Sequence, residues 1–204
     1  VSDLWATIRA RLDPIASWSP ERAAAQSDFD LSPEFRPTGV RALRQAAVLV
    51  PIVDRPEGAT LLLTRRTDHL TKHAGQIAFP GGRLDPGEGP VEAAVREAEE
   101  EIGLDPAFVE PLALSTPYET ITGYAVTPVA ARVRPGFDLR LNPEEVADAF
   151  EAPWPFFMDE ANHERRFFET GGARRWYWAM PWEDRFVWGA TAGMLRALWA
   201  RLQG

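Results

Sequence analysis

The stretch REAEEEIGL, Arg96 to Leu104, puts four glutamates into five positions just ahead of a glycine. Val91, Ala94, Val95, Ala98 and Ile102 recur at helical spacing, Pro90 suits a first helical position and Gly103 suits a stop. The acid therefore falls in the last turns of a predicted helix over 90–102, where the backbone already carries partial negative charge. Glu97 and Glu101 are also like charges at i,i+4, which repel. Glu97, Glu100 and Glu101 stand at i, i+3 and i+4 and share a face, whereas Glu99 points about 200° away from Glu97 at about 100° per residue. A solvated acidic face is the plain account of such a run. A bound cation is the account that answers its placement and crowding. Magnesium suits it best, because it takes hard oxygen ligands and keeps waters and phosphate oxygens in its remaining positions. Softer metals want histidine or cysteine, and the segment has neither.

Arg96 precedes the carboxylates and is placed to pair with Glu88, on the loop ahead of the helix. A bidentate pair there ties loop to helix. The glycines of FPGGRLDPGEG permit tight turning and close backbone approach. No G-K-(S/T) follows them, so a P-loop is excluded.

The elements that must position these groups follow from the pattern. Residues 2–12 predict an amphipathic helix with Ser2 as its cap, and 13–40 an irregular arm with a weak helical patch at Glu21–Gln26. AAVLVPIV (46–53) and TLLLTRR (60–66) predict a strand hairpin, and QIAFPGG (76–82) a strand broken by Pro80 and two glycines. Further strands are predicted near 109–115 and 124–134. NPEEVADAF (142–150) reads as a helix with Asn142 as cap and Pro143 at its first position. Residues 165–180 read as a hairpin turning at Gly171–Gly172, and 188–202 as a closing helix. The result is one α/β (α+β) domain with a mixed sheet over 41–204, and residues 1–40 packed on it as an arm.

The chain has 204 residues and a formal net charge of −8, which argues against general nucleic-acid or membrane-surface binding. A small anionic substrate remains compatible with that charge, since a few arginines and a cation reverse the field inside one pocket. Cysteine is absent, which removes disulfides and thiolate chemistry. No signal-type or membrane-spanning run is present, so a cytoplasmic protein is expected. Lys72 is the single lysine among 22 basic residues, a feature of composition.

The spacing Gly82, five residues, Glu88, seven residues, then Arg96-Glu97-Ala98-Glu99-Glu100-Glu101-Ile102-Gly103-Leu104 resembles the Nudix box, G-x5-E-x7-R-E-U-x-E-E-x-G-U, with U a bulky aliphatic. Every fixed position matches, and Ala98 is smaller than the pattern asks. The resemblance implies an α/β/α sandwich that hydrolyses a nucleoside diphosphate linked to another moiety, with magnesium or manganese required. It implies Glu97 and Glu101 as main metal ligands and Glu100 as a further ligand or base. Gly82, Glu88, Arg96 and Gly103 would give structural support to the box, Glu88 bracing the loop through Arg96.

Upstream, LLTRRTDHLTKHAGQIAFPGG (62–82) resembles the subgroup of that family that cleaves coenzyme A, with the pattern L-L-T-x-R-(S/A)-x3-R-x3-G-x3-F-P-G-G. Leu62, Leu63, Thr64, Arg66, Gly75, Phe79, Pro80, Gly81 and Gly82 match. Thr67 stands for the small Ser/Ala, and Thr71 for the second arginine, which removes a cation. Segments 124–133, 142–154 and 185–195 extend the likeness. It implies coenzyme A as substrate and 3′,5′-ADP and 4′-phosphopantetheine as products. Arg66 and Gly82 are the expected substrate contacts, and His73 either hydrogen-bonds in its loop or contacts substrate. Arg65 and Arg66 alternate on a strand, so one faces the site, and Arg66 is the expected phosphate contact against a surface ion pair. His69 and His73 lack a third ligand for a metal. Glu145 either supplies a catalytic carboxylate from outside the box or answers a helix dipole. The tryptophans between 176 and 199 are expected in core and hairpin packing, with a pantetheine or acyl groove as the minor alternative. A homodimer is compatible with this reading. Hydrolysis of an ADP-sugar, a dinucleoside polyphosphate or a damaged nucleotide is the second hypothesis, and a non-catalytic binding module of the same fold the third.

Overall fold

The computed structural model describes residues 3–39, 41–67 and 75–203. Helix α1 (Leu4–Arg11) is capped by Asp3, whose side chain accepts from the Trp5 N–H at 3.0 Å; the expected cap, Ser2, lies outside the described residues. Ile8 and Leu12 bury one side of α1 in the core. The helical patch expected at Glu21–Gln26 does not form, being too short to hold itself without a buried face. Its last residue instead opens strand β1 (Gln26–Ser27).

Strands β2 (Arg44–Val53) and β3 (Thr60–Arg66) pair antiparallel through Ile52↔Leu61 and Val53↔Thr60 and then part. The broken segment after them fills the gap. Strand β4 (Ile77–Ala78) pairs with β3, and β5 (Gly81–Arg83) pairs with β2. Helix α2 (Pro90–Ile102) follows, with Pro90 at its start and Gly103 left-handed (φ 66°) at its end. Next come β6 (Val109–Leu114), β7 (Tyr118–Glu119) and β8 (Tyr124–Val133). Strand β8 runs parallel to β2 from Arg44↔Tyr124 to Val53↔Val133, while β1 joins β7 at the edge.

The helix expected over 142–150 is a correction. Asn142 opens a turn, its side chain accepting from the Glu144 N–H at 3.1 Å, and Val146–Pro153 forms strand β9, antiparallel to β3. Asn-Pro is turn chemistry as readily as a helix start, and the long ladder to β3 decides the outcome. A short helix α3 (Trp154–Phe157) leads to a second sheet of β10 (Glu164–Thr170), β11 (Ala173–Trp182) and β12 (Arg185–Trp188). Gly171 and Gly172 turn the β10–β11 hairpin at φ 57° and 79°, as a two-residue loop with both residues left-handed requires. Helix α4 (Ala190–Gln203) closes the chain; the expected start at 188 falls on Trp188, the last residue of β12.

The large sheet is mixed, and both its faces are covered. Ala47, Leu49, Val53 and Leu62 pack with Ala94, Ala98 and Ile102 of α2. The alternate residues Val50, Ile52, Leu61 and Leu63 pack with Ile8 of α1 and Leu195 and Leu198 of α4. This is an α/β/α arrangement, and it explains why β2 reads as a continuous apolar run rather than an alternating one.

Candidate active site

Helix α2 lies on β2 and β5 through Ala93, Ala94, Ala98 and Ile102, with Glu101 buried among them. The sequence reading put Val91 and Val95 in this stripe; they are only partly buried, and Ala93 is inside. The acidic end of the helix is capped by backbone. The carbonyls of Glu101 and Ile102 accept from the N–H groups of Asn142 and Arg140, each at 2.8 Å. Those bonds satisfy carbonyls that would otherwise add to the negative end.

The glutamates grade from core to solvent. Glu101 is 4% exposed. Burial pushes its carboxyl up to about 8; the Arg66 guanidinium opposes that shift, and the Glu145 and Glu97 carboxylates add to it. Glu97 is half-buried, and burial raises it too, against the pull of Arg96. Glu100 and Glu99 are exposed. So the single face expected for Glu97, Glu100 and Glu101 extends from the protein interior to water.

Arg96 is the hub. Its Nε and Nη2 donate to the two oxygens of Glu88 at 2.9 and 3.0 Å, and Nη2 also donates to the Arg83 carbonyl at 3.1 Å. Nη1 donates to Glu97 at 2.9 Å and to Glu100 at 3.3 Å. Glu88 in turn accepts from the Asp85 N–H at 2.8 Å. The pairing with Arg96 holds the Glu88 carboxyl below its ordinary range, and the pairing with Glu88 raises Arg96 further. One guanidinium therefore fixes the box loop and neutralises two glutamates.

The strand residues meet this helix from the side. Nη1 of Arg66 lies 3.8 Å from Glu101, and its buried Nε has no hydrogen-bond partner among the described residues. Thr67, beside it, donates its N–H to the Glu145 carbonyl at 3.0 Å and its hydroxyl to the Glu144 carbonyl at 3.2 Å. Those two bonds hold Glu145 near Glu101. Glu145 sits in a turn before β9 and not on a helix, so the dipole reading of that residue falls. Arg65 lies on the other side, in a separate cavity with Asp148 and Phe186. His69, Thr71, Lys72 and His73 lie outside the described residues.

The glycines serve close approach. A methyl on Gly82 would collide with the Glu97 carboxylate, so the bare backbone makes room for an acid. A methyl on Gly81 would lie 2.6 Å from the Val48 Cα and run into the Ala47 carbonyl. Neither backbone group can yield without breaking the β2–β5 ladder. Gly81→Ala is therefore expected to destabilise the protein by about 2 kcal/mol, read as a lowered midpoint in thermal denaturation.

A cavity of about 450 Å³ opens at these residues. Its near wall includes Arg66, Phe79, Gly81 and Gly82; its far wall is the second sheet. That sheet is what the sequence reading missed. Its hairpin was legible, but which cavity its aromatic and arginine residues face depends on how β10–β12 pack against the rest.

Among the described residues, no three His, Asp or Glu side chains converge into a preformed metal cage. The donor set still fits a hard divalent cation. It is all carboxylate, and burial raises its interior member, Glu101, toward the neutral form, with Arg66 opposing that shift.

A model of the NUDIX domain matches residues 43–170. The chain belongs to the Nudix hydrolase family. The uncharacterized Nudix hydrolase NudL of Escherichia coli O1:K1 / APEC is 45% identical over 161 residues, covering 76% of this chain and 81% of that one. NudL of Shigella boydii serotype 18 matches to the same extent. Among solved structures, the Nudix hydrolase RenU of M. smegmatis is 27% identical, with a TM-score of 0.46 over 54% of this chain and 70% of its own. A C. elegans Ap4A hydrolase is 22% identical, with a TM-score of 0.47 over 53% and 79%. The protein is thus a pyrophosphohydrolase of nucleoside diphosphate derivatives, in a family that generally uses divalent metal ions. No helix among the described residues is long and apolar enough to cross a membrane.

Proposed function

We propose that this Nudix hydrolase cleaves the pyrophosphate of coenzyme A or its derivatives, giving 3′,5′-ADP and 4′-phosphopantetheine. The observation that carries the reading is a coincidence of sequence and space. Arg66, Phe79, Gly81 and Gly82 all belong to the run that resembles the coenzyme A-cleaving subgroup, and all line one cavity. In this reading residues 41–204 are the catalytic domain and 1–40 an arm upon it.

Glu97, Glu100 and Glu101 would hold magnesium or manganese. The metal would polarise the phosphoryl oxygens and lower the pKa of bound water. The protein's own groups supply the rest. The guanidinium of Arg66, whose Nε has no acceptor among the described residues, donates to a phosphate oxygen. Glu145, or Glu100 at the rim, accepts the proton of the attacking water. Arg96 answers changes in charge: Glu97 and Glu100 can leave Nη1 for a cation while Nε and Nη2 keep Glu88 and the loop in place. The glycines of β5 let substrate approach without side-chain obstruction; His73, outside the described residues, is assigned as a further substrate contact on its sequence position.

Coenzyme A incubated with the protein and magnesium is expected to yield the two products, resolved by chromatography. No turnover of coenzyme A, beside robust turnover of an ADP-sugar or a dinucleoside polyphosphate, would replace this substrate with the second class. Thr71, in place of the subgroup's arginine, is the feature that favours that class.

A further inference from the structure

The cavity lined by Arg66 is also lined by Phe168, Arg175, Trp176, Tyr177 and Trp188 of the second sheet. Rings hold Arg175 in place. Its guanidinium carbon lies 5.7 Å from the centre of Phe29 and 5.8 Å from that of Phe168. Among the described residues no carboxylate forms an ion pair with it, whereas its neighbour Arg174 lies 3.9 Å from Glu169. Asp28 also lines the cavity, but its carboxylate accepts from the Tyr118 hydroxyl at 3.1 Å and the Ile121 N–H at 2.8 Å. A guanidinium packed against aromatic rings and not in direct ion-pair contact with a carboxylate is suited to a phosphate, and the flat rings lining the same cavity are suited to a base.

We propose that Arg175 receives a second phosphate of the substrate, a phosphomonoester on the nucleoside, while Arg66 serves the pyrophosphate at the other end of the cavity. The proposal rests on the cavity being the nucleotide site. It deepens that reading by supplying, from across the cleft, the cation that Thr71 removes from the upstream run. Substrate choice is then set partly by the second sheet, outside the box and its flanking motif.

The test uses binding, so it does not depend on turnover. Affinities of the full chain for 3′,5′-ADP and 5′-AMP are measured by calorimetry in magnesium. The protein is expected to bind 3′,5′-ADP at least tenfold more tightly than 5′-AMP. Arg175→Gln is expected to shrink that preference to within about twofold while leaving 5′-AMP affinity unchanged, as loss of one charge-assisted contact predicts. Arg174→Gln is expected to keep the preference. Arg175→Met, which retains an apolar stem against Phe29 and Phe168, carries the same expectation should the glutamine variant lose its fold. No preference in the unaltered protein, a preference that survives the loss of Arg175, or equal weakening toward both nucleotides would each overturn the proposal. A protein that binds with this preference yet does not turn over coenzyme A would sink the substrate reading and leave the Arg175 site standing.

Discussion

Glu101→Gln is expected to reduce hydrolysis by at least about 10²–10³-fold, the scale of losing a principal charge-stabilising group in a water-excluded site. The amide keeps the size of the carboxyl and cannot ionise. Circular dichroism should therefore show an intact fold, and steady-state kinetics should show the loss in kcat. Unchanged activity would mean that the metal site is wrongly placed. The same variant has a second signature in metal-free protein. The Glu101 carboxyl is raised from an ordinary 4.5 to about 8 in the folded state. Between those values the folded protein holds a proton that the unfolded chain has released, so stability falls as pH rises through the window. Below about pH 4.5 no penalty exists; above about pH 8 it is complete, on the order of 5 kcal/mol. Glu101→Gln should abolish that slope, leaving the variant more stable than the parent at pH 8 in chelator and similar to it near pH 4.5. A divalent cation added to the unaltered protein should recover the lost stability at pH 8, because it binds the ionised form.

Arg96→Met should have the next largest effect. Arg96 donates to Glu88, Glu97 and Glu100 and to the Arg83 carbonyl, and the side chains of Glu88 and Glu97 are only 13% and 18% exposed. Removing the guanidinium leaves two poorly solvated carboxylates without their counter-charge and releases the loop from the helix. The expected cost is about 2 kcal/mol, reduced from the scale of a fully buried pair because Arg96 is partly solvated. Activity should fall about 10–100-fold, the range for groups that orient metal ligands. Chemical denaturation and kinetics at saturating metal read the two effects separately. Arg96→Lys should restore little, since one ammonium cannot span both Glu88 oxygens and still reach Glu97. Full activity in the lysine variant would show that charge alone, without the fork, organises the loop.

Much of this site is local, and what is local was legible. The contacts of Arg96 with Glu88, Glu97 and Glu100 span eight residues or fewer, so helical periodicity and one short loop are enough to place them. That Arg65 and Arg66 face different sides followed from strand alternation, because successive side chains point to opposite faces. The segment 142–150 failed for the converse reason. Its cap and first-position proline suit a helix start, and only the ladder to β3, some 80 residues earlier in the chain, draws it into a strand. Glu145 changed its meaning with it, from a residue at a helix end to a turn residue held by Thr67 beside Glu101.

By itself, then, the sequence determined the acidic helix, its glycine stop, the bracing pair and the family they belong to, all of which depend on residues near one another in the chain. Tertiary structure alone decided how those acids differ. The packing of α2 on β2 and β5 buries Glu101, leaves Glu97 partly covered and exposes Glu100, so desolvation raises the proton affinity of the first two, that of Glu101 to about 8. It also decided where the substrate cavity ends. Arg175 stands more than 100 residues beyond Arg66 in the chain, and only the folding of the second sheet over the first brings both to one cleft.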